Sequence, residues 1–237
     1  MRFYYRIFLI VLFFANSIFS SQFVFAQNTD NLKLEIYSKL RDRRCTTMSL
    51  DKCNCPDARE MKAYIDALLE AGVSKKEIFY KVAKKFSPNT ILDKQIKAQV
   101  EARLIKEAGG KRPQIVLEPS SINLGQVSKK QGKIEKVFKL YNKGTAKLII
   151  TNIKVSCSCV TTSLTVGKNK SPYFGTQGVP HGWEATIEPG ESAELEAVVD
   201  LSHSAINVGK LARDINITTN DIINPEVTIR IEADVIE

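Results

Sequence analysis

Histidine is scarce in this sequence, with only His181 and His203 among 237 residues. The chain has no His-Glu-x-x-His motif, no recognisable Ser-His-Asp arrangement, no Gly-rich phosphate loop and no paired-carboxylate signature. Sequence support for metallopeptidase, serine hydrolase and nucleotide-binding functions is therefore absent. We expect both histidines to be ordinary surface residues.

Basic tracts are also missing, although the formal net charge is +8. Lysine and arginine alternate with acidic residues along the chain instead of clustering on one segment. A nucleic-acid-binding surface needs such clustering, so we expect no nucleic-acid partner. The composition, with 43% hydrophobic and 25% charged residues, is typical of a globular protein.

Long apolar segments are confined to the N-terminus. Arg2 and Arg6 precede an apolar run, and Val-Phe-Ala ends at Ala26, an order that predicts a secretory signal peptide over residues 1–26. The alternative is an uncleaved anchor, because the 20 residues of Ile7–Ala26 could just span a bilayer. We expect a periplasmic protein, with membrane association only if the signal stays attached.

The rest of the chain divides at a glycine-rich segment. Apolar residues recur at helical spacing over 27–108 and at a spacing of two over 114–237, and the Gly-Gly-Lys-Arg-Pro segment at 109–113 breaks both patterns. We therefore predict a helical domain, a linker and a β domain, which is the α+β class in separate domains.

Capping signals predict three helices in the first domain. Asp57 with Glu60 fits a capping box, Gly72 ends that helix, and Ser74 opens the next. A third helix is predicted over 92–108, which completes a small three-helix bundle. The apolar faces comprise Ala58, Met61, Tyr64, Ile65, Leu68 and Leu69 in the first helix and Ile78, Phe79, Val82, Ala83 and Phe86 in the second.

Seven period-two segments after Pro113 predict an antiparallel β-sandwich. The aperiodic stretch 163–183 is predicted to be a loop insertion between strands. The predicted strands are Gln114–Glu118, Ser121–Val127, Ile134–Asn142, Ala146–Ser156, Ser192–Leu201, Ala212–Thr219 and Val227–Ile236.

The five cysteines carry most of the candidate chemistry. Three of them, Cys45, Cys53 and Cys55, lie with Met48 in a short loop before a predicted helix, and the other two are Cys157 and Cys159. Export would place them in an oxidising compartment, where disulfides persist. A helix N-terminus stabilises a nearby thiolate, so we expect a lowered pKa for Cys55. A structural disulfide that ties the loop to the bundle is the alternative.

Two Cys-x-Cys pairs leave three chemistries open. They could exchange disulfides, they could bind a soft metal with copper favoured over zinc, or they could only brace loops in a non-enzymatic envelope interaction module. The two pairs could also form one four-thiolate site if the domains dock. The candidate metal ligands are Cys45, Met48, Cys53, Cys55, Cys157 and Cys159.

The segment from Cys45 to Ser87 resembles the soluble domain of the CcmH/CycL/NrfF family of bacterial cytochrome c maturation proteins. The resemblance rests on the cysteine loop and on D-A-R-E-M-K at 57–62, L-L-E-A-G at 68–72, V-S-K-K-E-I at 73–78 and Y-K-V-A-K-K-F at 80–86. That family has a Leu-Arg-Cys-x-x-Cys motif and is thought to reduce or hold apocytochrome c before haem attachment. Here Cys45 matches the first motif cysteine, but Met48 replaces the second and cannot form a disulfide.

The segment from Pro113 to Glu237 resembles exported immunoglobulin-like domains of unknown function that are related to ASPM/SPD-2/Hydin domains. The matching motifs are I-N-L-G-Q-V at 122–127, F-x-L-Y-N-K-G at 138–144, L-I-I-T-N-I at 148–153, S-C-S-C-V at 156–160, I-E-P-G-E at 187–191 and T-T-N-D-x-x-N-P at 218–225. This resemblance implies an immunoglobulin-like antiparallel β-sandwich and almost no activity.

Together these features predict a periplasmic accessory factor for thiol–disulfide handling of apocytochrome c or another exported thiol protein. As a thiol–disulfide oxidoreductase it would use Cys45 for attack and Cys53 or Cys55 as the resolving thiol. The alternatives are a copper- or zinc-binding envelope protein and the interaction module. No residue is assigned to haem contact.

Overall fold

The computed structural model describes residues 30–42 and 48–237, which divide into two compact units between Val100 and Glu101. The division falls within a helix, Lys94–Glu107, and the predicted linker 109–113 follows the end of that helix. The predicted signal peptide and Cys45 lie outside the described residues. Among those that are described, no helix has the length and apolar character needed to cross a membrane.

The first unit is helical. Helix α1 covers residues 30–38, α2 is Pro56–Glu70, α3 is Lys75–Phe86, and α4 is Lys94–Glu107. A short 3-10 helix, Pro88–Thr90, lies between α3 and α4. The predicted apolar face of α3 is fully buried, and the buried residues of α2 are Ala58, Met61 and Ile65.

The joint between α2 and α3 is a tight turn closed by backbone hydrogen bonds. Gly72 has φ +69°, which favours glycine, and its N–H donates to Leu69 C=O while Val73 N–H donates to Leu68 C=O. This is the Schellman arrangement that ends a helix. The rings of Tyr64 and Phe86 lie edge to face with centroids 5.7 Å apart, so the middle of α2 contacts the end of α3.

The second unit is built from ten strands in two five-stranded sheets. One sheet has the order β1-β3-β8-β5-β6 and the other has the order β2-β10-β9-β4-β7. The strands are β1 Ile115–Glu118, β2 Ser121–Ser128, β3 Lys133–Asn142, β4 Leu148–Val155, β5 Val160–Val166, β6 Asn169–Lys170, β7 Ala185–Ile187, β8 Ser192–Asp200, β9 Gly209–Thr219 and β10 Glu226–Ile236.

The prediction of a purely antiparallel sandwich is wrong for one strand pair. Strand β1 pairs antiparallel with β3, but the chain then changes sheet, and β2 runs parallel to β10. The second sheet is therefore mixed. Alternation of apolar residues reports which face of a strand is buried, and it carries no information on strand direction.

The predicted loop over 163–183 also differs from the structure. Strand β5 continues to Val166 and pairs with β8, so Ser163 and Leu164 lie in the interior. The sequence pattern did not reveal this strand because Thr-Thr-Ser follows its first residue, Val160, and interrupts the alternation of apolar and polar residues. Ser163 Oγ donates to Ser171 C=O at 2.9 Å, which allows its hydroxyl to be buried.

Candidate thiol sites

The cysteine loop of the helical unit is anchored at both ends by backbone hydrogen bonds. Arg41 N–H donates to Thr90 C=O at 2.8 Å, and Leu50 N–H donates to Leu40 C=O at 2.7 Å. Cys53 N–H closes a turn onto Ser49 C=O at 3.2 Å. These bonds hold Asp42, just before the loop, close to Cys53 and Cys55 at the end of the loop.

Cys55 is the N-cap of α2, a position that the sequence assigned to Asp57. Its backbone is extended, with φ −69° and ψ 166°, and Pro56 occupies the first helical position. The Ala58 N–H donates to Cys55 Sγ at 3.4 Å. The cap was missed because Ser, Thr, Asp and Asn are the usual N-cap residues.

Asp42, Cys53 and Cys55 form a compact cluster that we call the thiol–carboxylate cluster. Asp42 Oδ2 accepts hydrogen bonds from Cys53 Sγ at 3.1 Å and from Cys55 Sγ at 3.2 Å, and the two sulfurs are 3.6 Å apart. Asp42 is only 1% exposed and Cys53 only 4%, whereas Cys55 is half-buried. The ligand atoms of these three residues all lie within 4.8 Å of one another, so they could bind one metal ion. No other group of three such residues is found within residues 30–42 and 48–237.

The prediction of a lowered pKa for Cys55 is wrong, because the net effect of its surroundings is to raise that pKa. The Ala58 N–H does lower that pKa, but burial, the Asp42 carboxylate and the Cys53 thiol together raise it above its ordinary value. A carboxylate next to a thiolate is a like-charge contact, which favours the protonated sulfur. Without a cation, the surroundings therefore favour the protonated form of the Cys55 thiol.

Of the other two predicted ligands of this loop, Met48 is among the described residues and Cys45 is not. Met48 is 45% exposed. Cys45 lies in segment 43–47, outside the described residues. Lys62, from the first turns of α2, donates from Nζ to Cys53 C=O at 2.7 Å and so fixes the Cys53 backbone.

Cys157 and Cys159 are joined by a disulfide, with Cα atoms 5.2 Å apart. They lie in the corner where the chain passes from β4 in one sheet to β5 in the other. Ser156 N–H donates to Asp214 C=O at 2.9 Å, and Asp200 N–H donates to Cys159 C=O at 2.9 Å, so the corner is bound to both sheets. A sulfur in a disulfide carries no thiolate, so the pair offers no metal ligand in this oxidation state.

Arg213 of β9 contacts this disulfide, which the sequence gave no reason to expect. Its Nε donates to Cys159 Sγ at 3.1 Å. Its Nη1 donates to Ala212 C=O at 2.9 Å and its Nη2 to Ala205 C=O at 3.1 Å, so the guanidinium is held on three sides. A permanent positive charge therefore lies against one sulfur of the pair.

His203 is not the isolated surface residue that the sequence suggested. Its Nε2 lies 3.3 Å from Ser158 Oγ, and its Nδ1 accepts a hydrogen bond from Ala205 N–H at 3.0 Å. Because Nδ1 accepts, the proton of the neutral ring is on Nε2, which then donates to the serine. His181 is exposed.

An open depression of about 500 Å³ borders the same corner. Its lining includes Ser158, Val160, Tyr173, Phe174 and Val179. Phe174 is fixed by the edge of the Trp183 ring, with centroids 4.9 Å apart. Apolar and aromatic surface thus lies beside the exposed side of the disulfide loop.

The two sheets and their strand order define the second unit as an immunoglobulin-like β-sandwich domain. Residues 113–234 match the HYDIN/CFA65/VesB-like, Ig-like domain family, which is slightly more than half of the 237 residues. The chain belongs to this family through its β unit. The immunoglobulin-like resemblance is thereby confirmed, and the resemblance of the helical unit to the CcmH/CycL/NrfF family stays a prediction.

Several solved structures are similar to part of this chain. A protein of unknown function from Porphyromonas gingivalis W83 is 20% identical, with a TM-score of 0.39, over 52% of this chain and 47% of that chain. The VesB protease of Vibrio cholerae is 18% identical, with a TM-score of 0.37, over 60% of this chain and 39% of that one. An ASH/PapD-like domain of human CEP192 is 10% identical, with a TM-score of 0.34, over 53% and 87%.

The chain spans about half the length of the Porphyromonas gingivalis protein. No curated protein sequence matches it.

Proposed function

We propose that the thiol–carboxylate cluster binds one zinc ion, so that the chain acts as a soft-metal-binding protein of the cell envelope. The observation that carries this proposal is the convergence of Asp42, Cys53 and Cys55 on one point. Zinc is preferred to copper(I) because a carboxylate is a hard oxygen ligand, which suits zinc better than a soft monovalent ion.

The distances between the donor atoms fit a tetrahedral ion. With Zn–S bonds of about 2.3 Å and Zn–O bonds of about 2.0–2.2 Å, neighbouring ligands lie about 3.8 Å apart for two sulfurs and about 3.5 Å apart for sulfur and oxygen. The corresponding distances here are 3.6 Å between the sulfurs and 3.1 and 3.2 Å from the sulfurs to Asp42 Oδ2. Shifts of a few tenths of an ångström would therefore complete the site.

The surroundings also favour a cation. Binding would replace the two thiol protons by a dication, whose charge offsets the mutual repulsion of two thiolates and a carboxylate. Cys55 is half-buried and gives the ion a route from solvent. The fourth ligand would be Cys45, Met48 or a water molecule, with the cysteine favoured because zinc prefers thiolate to thioether.

Equilibrium zinc titration of the full mature chain, in buffer that leaves Cys157–Cys159 oxidised, tests the proposal. We expect one zinc per chain, and cobalt(II) substitution should give the thiolate-to-metal absorption bands of a cysteine-ligated ion. Cys53→Ser should remove both signals. The matched control is the double variant Cys157→Ser with Cys159→Ser, which should bind zinc like the parent. Zinc that depends on the second pair, or no zinc at all, would contradict the proposal.

A second candidate function is thiol–disulfide handling of apocytochrome c or another exported thiol protein. One observation favours it, namely that Cys53 Sγ and Cys55 Sγ are only 3.6 Å apart and could close a disulfide with little movement. The resemblance to CcmH/CycL/NrfF proteins supports the same reading. In this scheme Cys45 attacks the partner disulfide and Cys53 or Cys55 resolves the mixed disulfide.

Disulfide mapping of the mature protein, purified from an oxidising compartment, separates the two functions. Thiol handling predicts a disulfide between two of Cys45, Cys53 and Cys55 that forms and breaks under mild redox buffers. Zinc binding predicts that Cys53 and Cys55 remain unoxidised and that metal, not a disulfide, protects them from alkylation.

A further inference from the structure

We propose that the Cys157–Cys159 disulfide is a thiol-exchange site with a fixed direction. Cys157 is the sulfur that an incoming thiolate attacks, and Cys159 is the sulfur that leaves beside Arg213. The partner is a dithiol of another protein or peptide. This site uses no residue of the thiol–carboxylate cluster, so its test is independent of zinc binding.

Exposure separates the two sulfurs. Cys157 is half-buried and lies next to the exposed Ser158, whereas Cys159 is 1% exposed and belongs to the core of the sandwich. Which sulfur of a disulfide is attacked depends on access. An external thiolate can therefore reach Cys157 and not Cys159.

The charge near the two sulfurs also favours Cys159 as the leaving sulfur. Arg213 Nε lies 3.1 Å from Cys159 Sγ, and the two backbone contacts of its Nη atoms keep the guanidinium there. Negative charge that appears on Cys159 when the disulfide breaks would be stabilised by this cation. A leaving thiol with a lower pKa leaves faster, so Arg213 would speed attack on Cys157.

A backbone donor assists the second half of the exchange. Cys159 N–H donates to Cys157 Sγ at 3.2 Å. When Cys157 is released as a thiolate, this N–H would hold its charge until it is protonated from water. Different groups therefore stabilise negative charge on the two sulfurs. Arg213 does so for the leaving Cys159, and a main-chain N–H does so for the attacked Cys157.

The reaction balances as a two-electron exchange. The first thiolate of the partner attacks Cys157 Sγ, the bond to Cys159 breaks, and the electron pair of that bond leaves on Cys159. The second thiolate of the partner then attacks the partner's first sulfur and releases Cys157. The partner dithiol is oxidised to a disulfide, the Cys157–Cys159 disulfide is reduced, and the protons of the partner thiols pass to solvent and to Cys157.

Reduction of the full-length chain by glutathione tests the role of Arg213. Samples are quenched by alkylation, and the two cysteines are read together on the peptide between Lys154 and Lys168. We expect Arg213→Gln to slow reduction about tenfold, because the leaving sulfur loses its cation. Arg213→Lys should recover part of the rate, which a purely structural role of the guanidinium would not.

The matched control is Arg230→Gln, another arginine of the same unit, which pairs with Asp214 at 2.8 Å and contacts neither sulfur. It should reduce at the parental rate, and urea unfolding of all variants shows whether each is folded. Equal rates for Arg213→Gln and the parent would overturn the proposal.

Single-cysteine variants test the direction. With oxidised glutathione, Cys159→Ser should trap a stable mixed disulfide on Cys157, whereas Cys157→Ser should leave Cys159 largely unmodified. Faster modification of Cys159 would assign the opposite direction and contradict the proposal.

Discussion

Cys53-Asn54-Cys55 and Cys157-Ser158-Cys159 have the same spacing, but the side chain beside each pair carries the opposite charge. The first pair shares the carboxylate of Asp42, and its sulfurs are not joined in a disulfide. The second pair is a disulfide, and the guanidinium of Arg213 contacts one of its sulfurs. A Cys-x-Cys motif therefore does not define a chemistry by itself.

The difference follows from what each neighbour stabilises. A carboxylate disfavours a thiolate and becomes a ligand when a cation is present, so it suits a metal site. A guanidinium favours a thiolate and repels a metal ion, so it suits disulfide exchange. Four experiments test this comparison, in decreasing order of expected effect.

Removal of the carboxylate charge should have the largest effect. Asp42→Asn keeps the size of the side chain but loses one negative ligand. We expect zinc affinity to fall by at least about 100-fold, because removal of an outer-shell partner alone costs about 10- to 100-fold. Competition titration with a zinc chelator measures this. Circular dichroism of the variant provides the control for folding, and unchanged affinity in a folded variant would show that Asp42 is not a ligand.

Zinc should protect one pair of cysteines and leave the other unaffected. We expect alkylation of Cys55 to slow about tenfold or more when zinc is added, because a metal-bound sulfur is not available as a nucleophile. The time course is followed by mass spectrometry of each cysteine peptide. Addition of zinc should not change the rate at which glutathione opens Cys157–Cys159, and a change there would mean that the pairs do not differ as described.

The capping and ligand roles of Cys55 can be separated by two substitutions. Cys55→Ala removes the acceptor for Ala58 N–H and should lower the free energy of unfolding by about 1 kcal/mol, as for other lost N-caps. Cys55→Ser keeps an acceptor, so stability should be retained while zinc binding is lost. Urea unfolding of both variants measures the first effect. Equal destabilisation by serine and alanine would argue against the cap.

The serine between the second pair should matter least. Ser158→Ala removes the exposed contact with His203, and we expect a change in unfolding free energy within about 0.5 kcal/mol, as for most surface substitutions. The glutathione reduction rate should stay near the parental value. A large change in that rate would show that the Ser158–His203 contact, and not Arg213 alone, controls opening of the disulfide.

Much of the fold could be predicted from the sequence, because periodic apolar residues report burial directly. The buried face of α3, the stop at Gly72 and the seven predicted strand segments all correspond to elements of the structure. The start of α2 was misplaced because sulfur acts as its cap. Strand β5 was missed because Thr162 and Ser163 are fully buried polar residues.

The charged partners of the cysteines could not be predicted, because tertiary contacts bring them to the sulfurs. Asp42 precedes the cysteine loop and reaches the sulfurs only through the backbone bonds that close that loop. Arg213 is 54 positions from Cys159 and meets it because β9 pairs with β4 across the sheet. The cysteine positions are visible in the sequence, but the charges beside them depend on tertiary structure.

The most direct test of the central claim is native mass spectrometry of the full mature chain purified from an oxidising compartment, combined with disulfide mapping. The account predicts one zinc ion per chain, lost in Asp42→Asn, together with one disulfide between Cys157 and Cys159. A metal-free chain with a disulfide between Cys53 and Cys55, or zinc held by Cys157 and Cys159, would contradict it.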